Sequence, residues 1–137
     1  MKYFKNILSL LLLAAFAASC GKPAPLPPDE VAVKFYNDLT SGDLRFAKRH
    51  LYFPNPVDYD TFCEYLDMAV RSEEYWERTE GYKADYRVVD TKIYGNEAYV
   101  IIRGTTPLHG DATMTVHLLF IDEMWKVDGN HGVLHRH

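Results

Sequence analysis

The chain has 137 residues, 15 of them Lys or Arg and 19 Asp or Glu, for a formal charge of −4. An acidic chain with no basic run repels phosphate backbones, which argues against nucleic acid as a partner. Two cysteines are too few for a disulfide framework, and the length suits one domain with a real core.

The N-terminus reads as an export signal. Lys2 and Lys5 precede the apolar run "ILSLLLLAAFA", Ile7 to Ala17, which ends in the small pair Ala18-Ser19. That run is shorter than the roughly 18–20 residues a permanent membrane helix needs. The next residue is Cys20, and "AASC" resembles the bacterial lipobox, with Ala17 standing where Leu is usual. The resemblance implies cleavage of residues 1–19, a diacylglyceryl thioether on Cys20 and an acyl group on its amine. Each buried methylene contributes about 0.8 kcal/mol, so two or more chains give stable anchoring. Without Lys2 and Lys5, the remaining 118 residues carry 13 basic against 19 acidic groups, a charge of −6.

Residues 20–27 form a tether. Pro23, Pro25, Pro27 and Pro28 favour polyproline II, and at about 3.1 Å per residue they space a domain about 20–25 Å from the lipid. Gly21 follows the cysteine, where an Asp in enteric lipoproteins tends to retain the protein in the inner membrane. By that resemblance the expected location is the outer membrane, facing the periplasm.

The domain proper is read over residues 28–130. "PPDEVAVKFYNDLTSGD" predicts a helix from Pro28, with Asp29 and Glu30 at its positive end and Val31, Phe35 and Leu39 on one apolar stripe. Ser41-Gly42 stops it, and Asp43 caps a second helix, "LRFAKRHL". "YFPNPVD" breaks the chain. Thr61 and Glu64 then fit a capping box for a third helix, with Phe62, Leu66, Ala69 and Val70 inward and Cys63 read as a small apolar core residue.

From Tyr82 the period becomes strand-like. "YKADYRVVDTKIY" and "EAYVIIRGTT" are joined by a tight turn at Gly95-Asn96. "DATMTVHLLFI" follows a Pro107–Gly110 turn, and Asp122-Glu123 leads into "MWKVDG". The prediction is α+β: N-terminal helices packed on a curved antiparallel sheet of about four strands.

The order "PPDEVAVKFYNDLTSGDLRFAKRHL", then a strand-rich half closing in "WKVDG", resembles the nuclear transport factor 2-like superfamily, a cystatin-like α+β cone. More narrowly it resembles small bacterial lipoproteins of the family called domain of unknown function 4878, also labelled lumazine-binding-like. The superfamily hosts isomerases, dehydratases, transport receptors and binding modules, so the resemblance implies a fold and not a chemistry.

Enzymes of that superfamily set a general-base Asp in an apolar cavity with a Tyr and a protonated acid. Here Asp58 and Asp60 are the nearby carboxylates, but capping of the third helix explains both fully and the superfamily's catalytic pattern is not matched. In "MTVHLLF" the alternation puts Val116, Leu118 and Phe120 toward the helices and Thr115 with His117 on the outer face, which suits a structural or interfacial role for His117. The tail, residues 131–137, offers His131, His135 and His137 as metal candidates, but lacks a third constrained ligand and reads as solvated. Tyr36, Tyr65, Tyr99, Met114 and Trp125 lie on elements expected to converge in the cone, as pocket lining or as core.

The expected function is a membrane-anchored envelope lipoprotein whose domain, without a cofactor, binds a small apolar ligand or an envelope protein. The alternatives are an isomerase- or hydratase-like enzyme using Asp58 or Asp60 with a Tyr, and an interaction module that dimerises through the sheet face.

Overall fold

The computed structural model describes residues 24–71, 85–106 and 110–131. Among these residues three helices, α1 (Pro28–Ser41), α2 (Leu44–Arg49) and α3 (Pro56–Val70), pack with five strands. The strands are β1 (Leu51–Tyr52), β2 (Arg87–Tyr94), β3 (Glu97–Thr106), β4 (Gly110–Ile121) and β5 (Met124–Asp128), in sheet order β1-β5-β4-β3-β2. A 3₁₀ turn, Gly129–His131, follows β5. Residues 1–23, on which the expected signal segment and most of the expected tether fall, residues 72–84, 107–109 and those beyond His131 lie outside the described residues. No helix among the described residues is long and apolar enough to cross a membrane.

The first two helices form as their sequence predicts. Pro28 occupies the first helical position of α1, and Gly42 closes it in the left-handed region at φ 83°. The Asp43 amide then donates to the Asp38 carbonyl at 3.1 Å, and the Asp43 carboxylate caps α2 through the Arg45 amide at 3.3 Å.

The third helix starts earlier than the capping-box reading places it. Asn55 is the cap, accepting from the Val57 amide at 2.9 Å, and Pro56 opens the first turn. Thr61 lies inside the helix with its hydroxyl donating to the Val57 carbonyl at 2.8 Å. Proline in "PNPVD" is thus a start signal as well as a breaker.

Among the described residues the sheet has five strands instead of four, because Leu51 and Tyr52 run parallel beside Val127 and Asp128. The Val127 amide donates to the His50 carbonyl at 2.6 Å and ties the end of α2 to β5. Such a two-residue parallel pairing has no hydrophobic period to announce it. β2, β3, β4 and β5 form the expected antiparallel meander. Gly95 (φ 61°) turns the first hairpin, while Asp122 (φ 54°) and Glu123 (φ 63°) turn the last one.

One face of the sheet carries Ala98, Val100, Ile102, Val116, Leu118, Trp125 and Val127, and α1 lays Val31, Ala32, Phe35 and Leu39 on it. Val31, Phe35, Val100, Ile102 and Leu118 are fully buried. At about 1.5–3 kcal/mol per buried large apolar side chain, this layer is the principal source of stability. Asn37 holds the entry to β2 against α1, its side-chain oxygen accepting from the Tyr86 amide at 3.0 Å. The opposite, outer face is where the polar chemistry gathers.

Candidate functional site on the outer sheet face

Register builds the site. Tyr99 on β3 lies directly across from His117 on β4. Continuing the β4–β5 register past Leu118 and Val127 sets Asp128 across from His117 on its other side. Glu97, two residues before Tyr99, shares that face. Three neighbouring strands therefore bring a tyrosine, a histidine and two carboxylates together.

Turn geometry brings the last member. Asp128 Oδ1 accepts from the Asn130 amide at 3.1 Å, and Phe53 presses its ring flat against Gly129. A side chain at 129 would collide with that ring, and the 3₁₀ turn Gly129–His131 returns His131 over His117. The two imidazoles are 4.5 Å apart, and on its other side His117 stacks on Tyr99 at 4.8 Å.

Both ring nitrogens of His117 face a carboxylate. Nδ1 is 3.0 Å from Asp128 Oδ2, and Nε2 is 2.5 Å from Glu97 Oε1. The Tyr99 hydroxyl donates to the same Glu97 oxygen at 3.0 Å, and His131 Nδ1 is 3.4 Å from Asp128 Oδ2. The bond from His117 first, and that from Tyr99 second, hold the Glu97 carboxyl below its usual range; the same bond to Glu97 raises the Tyr99 phenol. His117 is 8% exposed and Asp128 10%, whereas the His131 side chain is 60% exposed. A buried imidazole held at both nitrogens is fixed in its rotamer.

The other sequence candidates are dispersed. His117 and Thr115 are on the outer face, as the alternation predicts. Asp58 and Asp60 are exposed on the first turns of α3, and among the described residues neither carboxylate is bonded to a tyrosine. Of the five proposed pocket residues, three share the core layer and two lie away from it. Met114 and Trp125 pack into the core, Tyr36 packs edge-on to Phe35 and Tyr86, and Tyr65 is 54% exposed on α3. Tyr99 lies on the other side of the sheet, in the His117 cluster. The sheet separates Tyr99 from Met114 and Trp125, because odd and even residues of β3 and β4 face opposite ways. Cys63 is half-buried near Tyr59, whose phenol is pushed up to about 12 by burial first and by its contact with Cys63 second.

His131 packs on His117 in the 3₁₀ turn while its side chain stays 60% exposed. His135 and His137 lie outside the described residues. Glu97 and Asp128 are the members that sequence reasoning missed. Asp128 sat within the closing "WKVDG" motif, and Glu97 beside a turn, where each has an ordinary local explanation. A cleft of ≈340 Å³ between α2 and α3 is a separate feature, lined by Arg45, Lys48 and Arg71, with Lys48 bonded to Asp67 at 2.5 Å and Arg45 to Asp43 at 3.1 Å.

Comparison with protein-family models gives no match, and neither does comparison with curated protein sequences. Among solved structures the chain is similar to a protein from Campylobacter jejuni provisionally named an NTF2-like transpeptidase. The match has a TM-score of 0.58 and 18% identity, and covers 75% of this chain and 98% of the other. The fold is nuclear transport factor 2-like. At that identity the likeness concerns the fold, and the chemistry of the nuclear transport factor 2-like domain rests on its own residues.

Proposed function

We propose that this chain is a bacterial envelope lipoprotein of the domain of unknown function 4878 type, anchored through Cys20, whose nuclear transport factor 2-like domain works by binding an envelope protein with its outer sheet face. Export and anchoring rest on the order Lys2, Lys5, apolar run, "AASC" and proline tether. The observation that carries the binding reading is the distribution of side chains about the sheet. The helix-facing side is filled by α1, and among its described residues the sheet presents no carboxylate there. The rival enzyme reading needs a general-base Asp in an apolar cavity, whereas Asp58 and Asp60 are exposed on α3. The outer face instead offers Tyr94, Tyr99, Arg103 and Thr115 beside the His117 cluster, a mixture of aromatic and polar groups suited to a protein surface.

Two measurements test this. Cys20→Ser should move the protein from the membrane fraction to the soluble one, and continued membrane association would defeat the anchor. Native mass spectrometry of the protein from its own envelope should show a second protein mass that Thr115→Arg removes. A retained small molecule unaffected by Thr115→Arg would return the binding site to the cone. A homodimer lost in the variant would make the partner a second copy.

A further inference from the structure

We propose that His117, Asp128 and His131 form a binding site for a divalent transition-metal ion, zinc by preference, with Glu97 as the outer carboxylate that orients His117. Going beyond the binding role argued above, this inference stands on the cluster's own geometry.

The ligand set fits the ion. Two imidazoles and a carboxylate are borderline donors that suit Zn²⁺, and three protein ligands leave a fourth position for water or a partner's side chain. With metal–ligand bonds of about 2.0–2.2 Å, tetrahedral zinc sets its ligand atoms roughly 3.3–3.5 Å apart. Here His117 Nδ1 is 3.0 Å and His131 Nδ1 3.4 Å from Asp128 Oδ2, and one donor atom from each residue lies within 4.8 Å of the others. His131 has the exposed side chain, so a small turn of its ring closes the widest gap.

Hydrogen-bond inventory supports the same assignment. Two carboxylates face the two nitrogens of a single buried imidazole, and ionised carboxylates only accept. With one proton on the ring, one of these contacts lacks a donor. A cation between His117 Nδ1, Asp128 and His131 satisfies that side, while the proton on Nε2 is donated to Glu97. The charges of the two carboxylates and a divalent ion then cancel. Glu97, itself held by the Tyr99 hydroxyl, is placed as the outer carboxylate of a carboxylate–histidine–metal triad, fixing the tautomer that frees Nδ1. Asp128 is likewise preset, because the Asn130 amide holds Oδ1 and leaves Oδ2 aimed at both imidazoles.

The test is calorimetric titration of the untagged full chain with Zn²⁺ alone, repeated with Co²⁺ to read ligand geometry from its visible absorption. The wild type should bind one equivalent with a tetrahedral Co²⁺ spectrum. His131→Ala, at an exposed position, should weaken binding at least about tenfold, and Glu97→Gln by about 10–100-fold, both with unchanged circular dichroism. No binding by the wild type would overturn the proposal. So would affinity that survives His131→Ala but is lost in a His135→Ala/His137→Ala variant, since the tail would then be the ligand. Loss with His131→Ala but not with Glu97→Gln would keep the three ligands and remove Glu97 from the site.

Discussion

Single residues show where this fold has no slack. Gly129 is required by its neighbour and not by its backbone angle, because the Phe53 ring occupies the space of a Cβ. Gly129→Ala should cost about 1–3 kcal/mol in urea unfolding, as overpacking of a close contact does. Shortening the ring in a Phe53→Leu background should recover part of that loss, and strict additivity of the two changes would refute the contact as its cause. His50 is a second such case. Its Nδ1–H donates to the Trp125 carbonyl at 2.9 Å, its ring stacks on Phe46 at 4.1 Å, and it is 7% exposed. Burial holds its pKa below the ordinary 6.5, so the unfolded chain binds the proton more readily. His50 therefore contributes stability above pH 6.5 that declines as pH falls below that value. His50→Asn should flatten the difference in urea midpoint between about pH 7.5 and about pH 5.5; an unchanged difference would place the acid sensitivity elsewhere.

At the scale of elements, short-range signals were legible and cross-element ones were not. The apolar stripe of α1, the Gly42-Asp43 junction and the Gly95-Asn96 hairpin are local chemistry, and the structure has each where the sequence puts it. The start of α3 was ambiguous because two capping patterns lie six residues apart, Asn55 before a proline and Thr61 before Glu64. The earlier one prevails since it adds more than a turn of helix, including the Tyr59 hydroxyl bond to the Lys48 carbonyl at 2.7 Å. Asn55→Ala should thus destabilise the protein by about 0.5–2 kcal/mol, while Thr61→Ala should stay within about 0.5 kcal/mol of wild type. Thermal melts followed by circular dichroism distinguish the two, and the reverse ranking would restore the later start. β1 could not be foreseen, as two residues have no period and pair only because β5 lies alongside.

For the whole molecule, one helix laid on one sheet face carries both stability and the placement of function. Phe35 is fully buried at the centre of that layer, and Phe35→Ala should cost about 3–5 kcal/mol, a large part of the roughly 5–15 kcal/mol a domain possesses. A lowered denaturation midpoint with the transition still cooperative is the expected result; a change below about 1 kcal/mol would mean the layer is not the main support. Filling that face sends the chemistry to the other one, where Glu97, Tyr99, His117, Asp128 and His131 meet from three strands and a turn. The sequence by itself determined the fold class, the order of the three helices and the four-strand meander, and which face of β4 His117 occupies, because period and turn chemistry act between residues a few positions apart. The tertiary structure alone decided that Tyr99 leaves the core, that Asp128 and Glu97 bracket one imidazole, and that His131 folds over it. Those contacts depend on strand register and on a ring pressed against Gly129, which join residues 11 to 76 positions apart and leave no local trace.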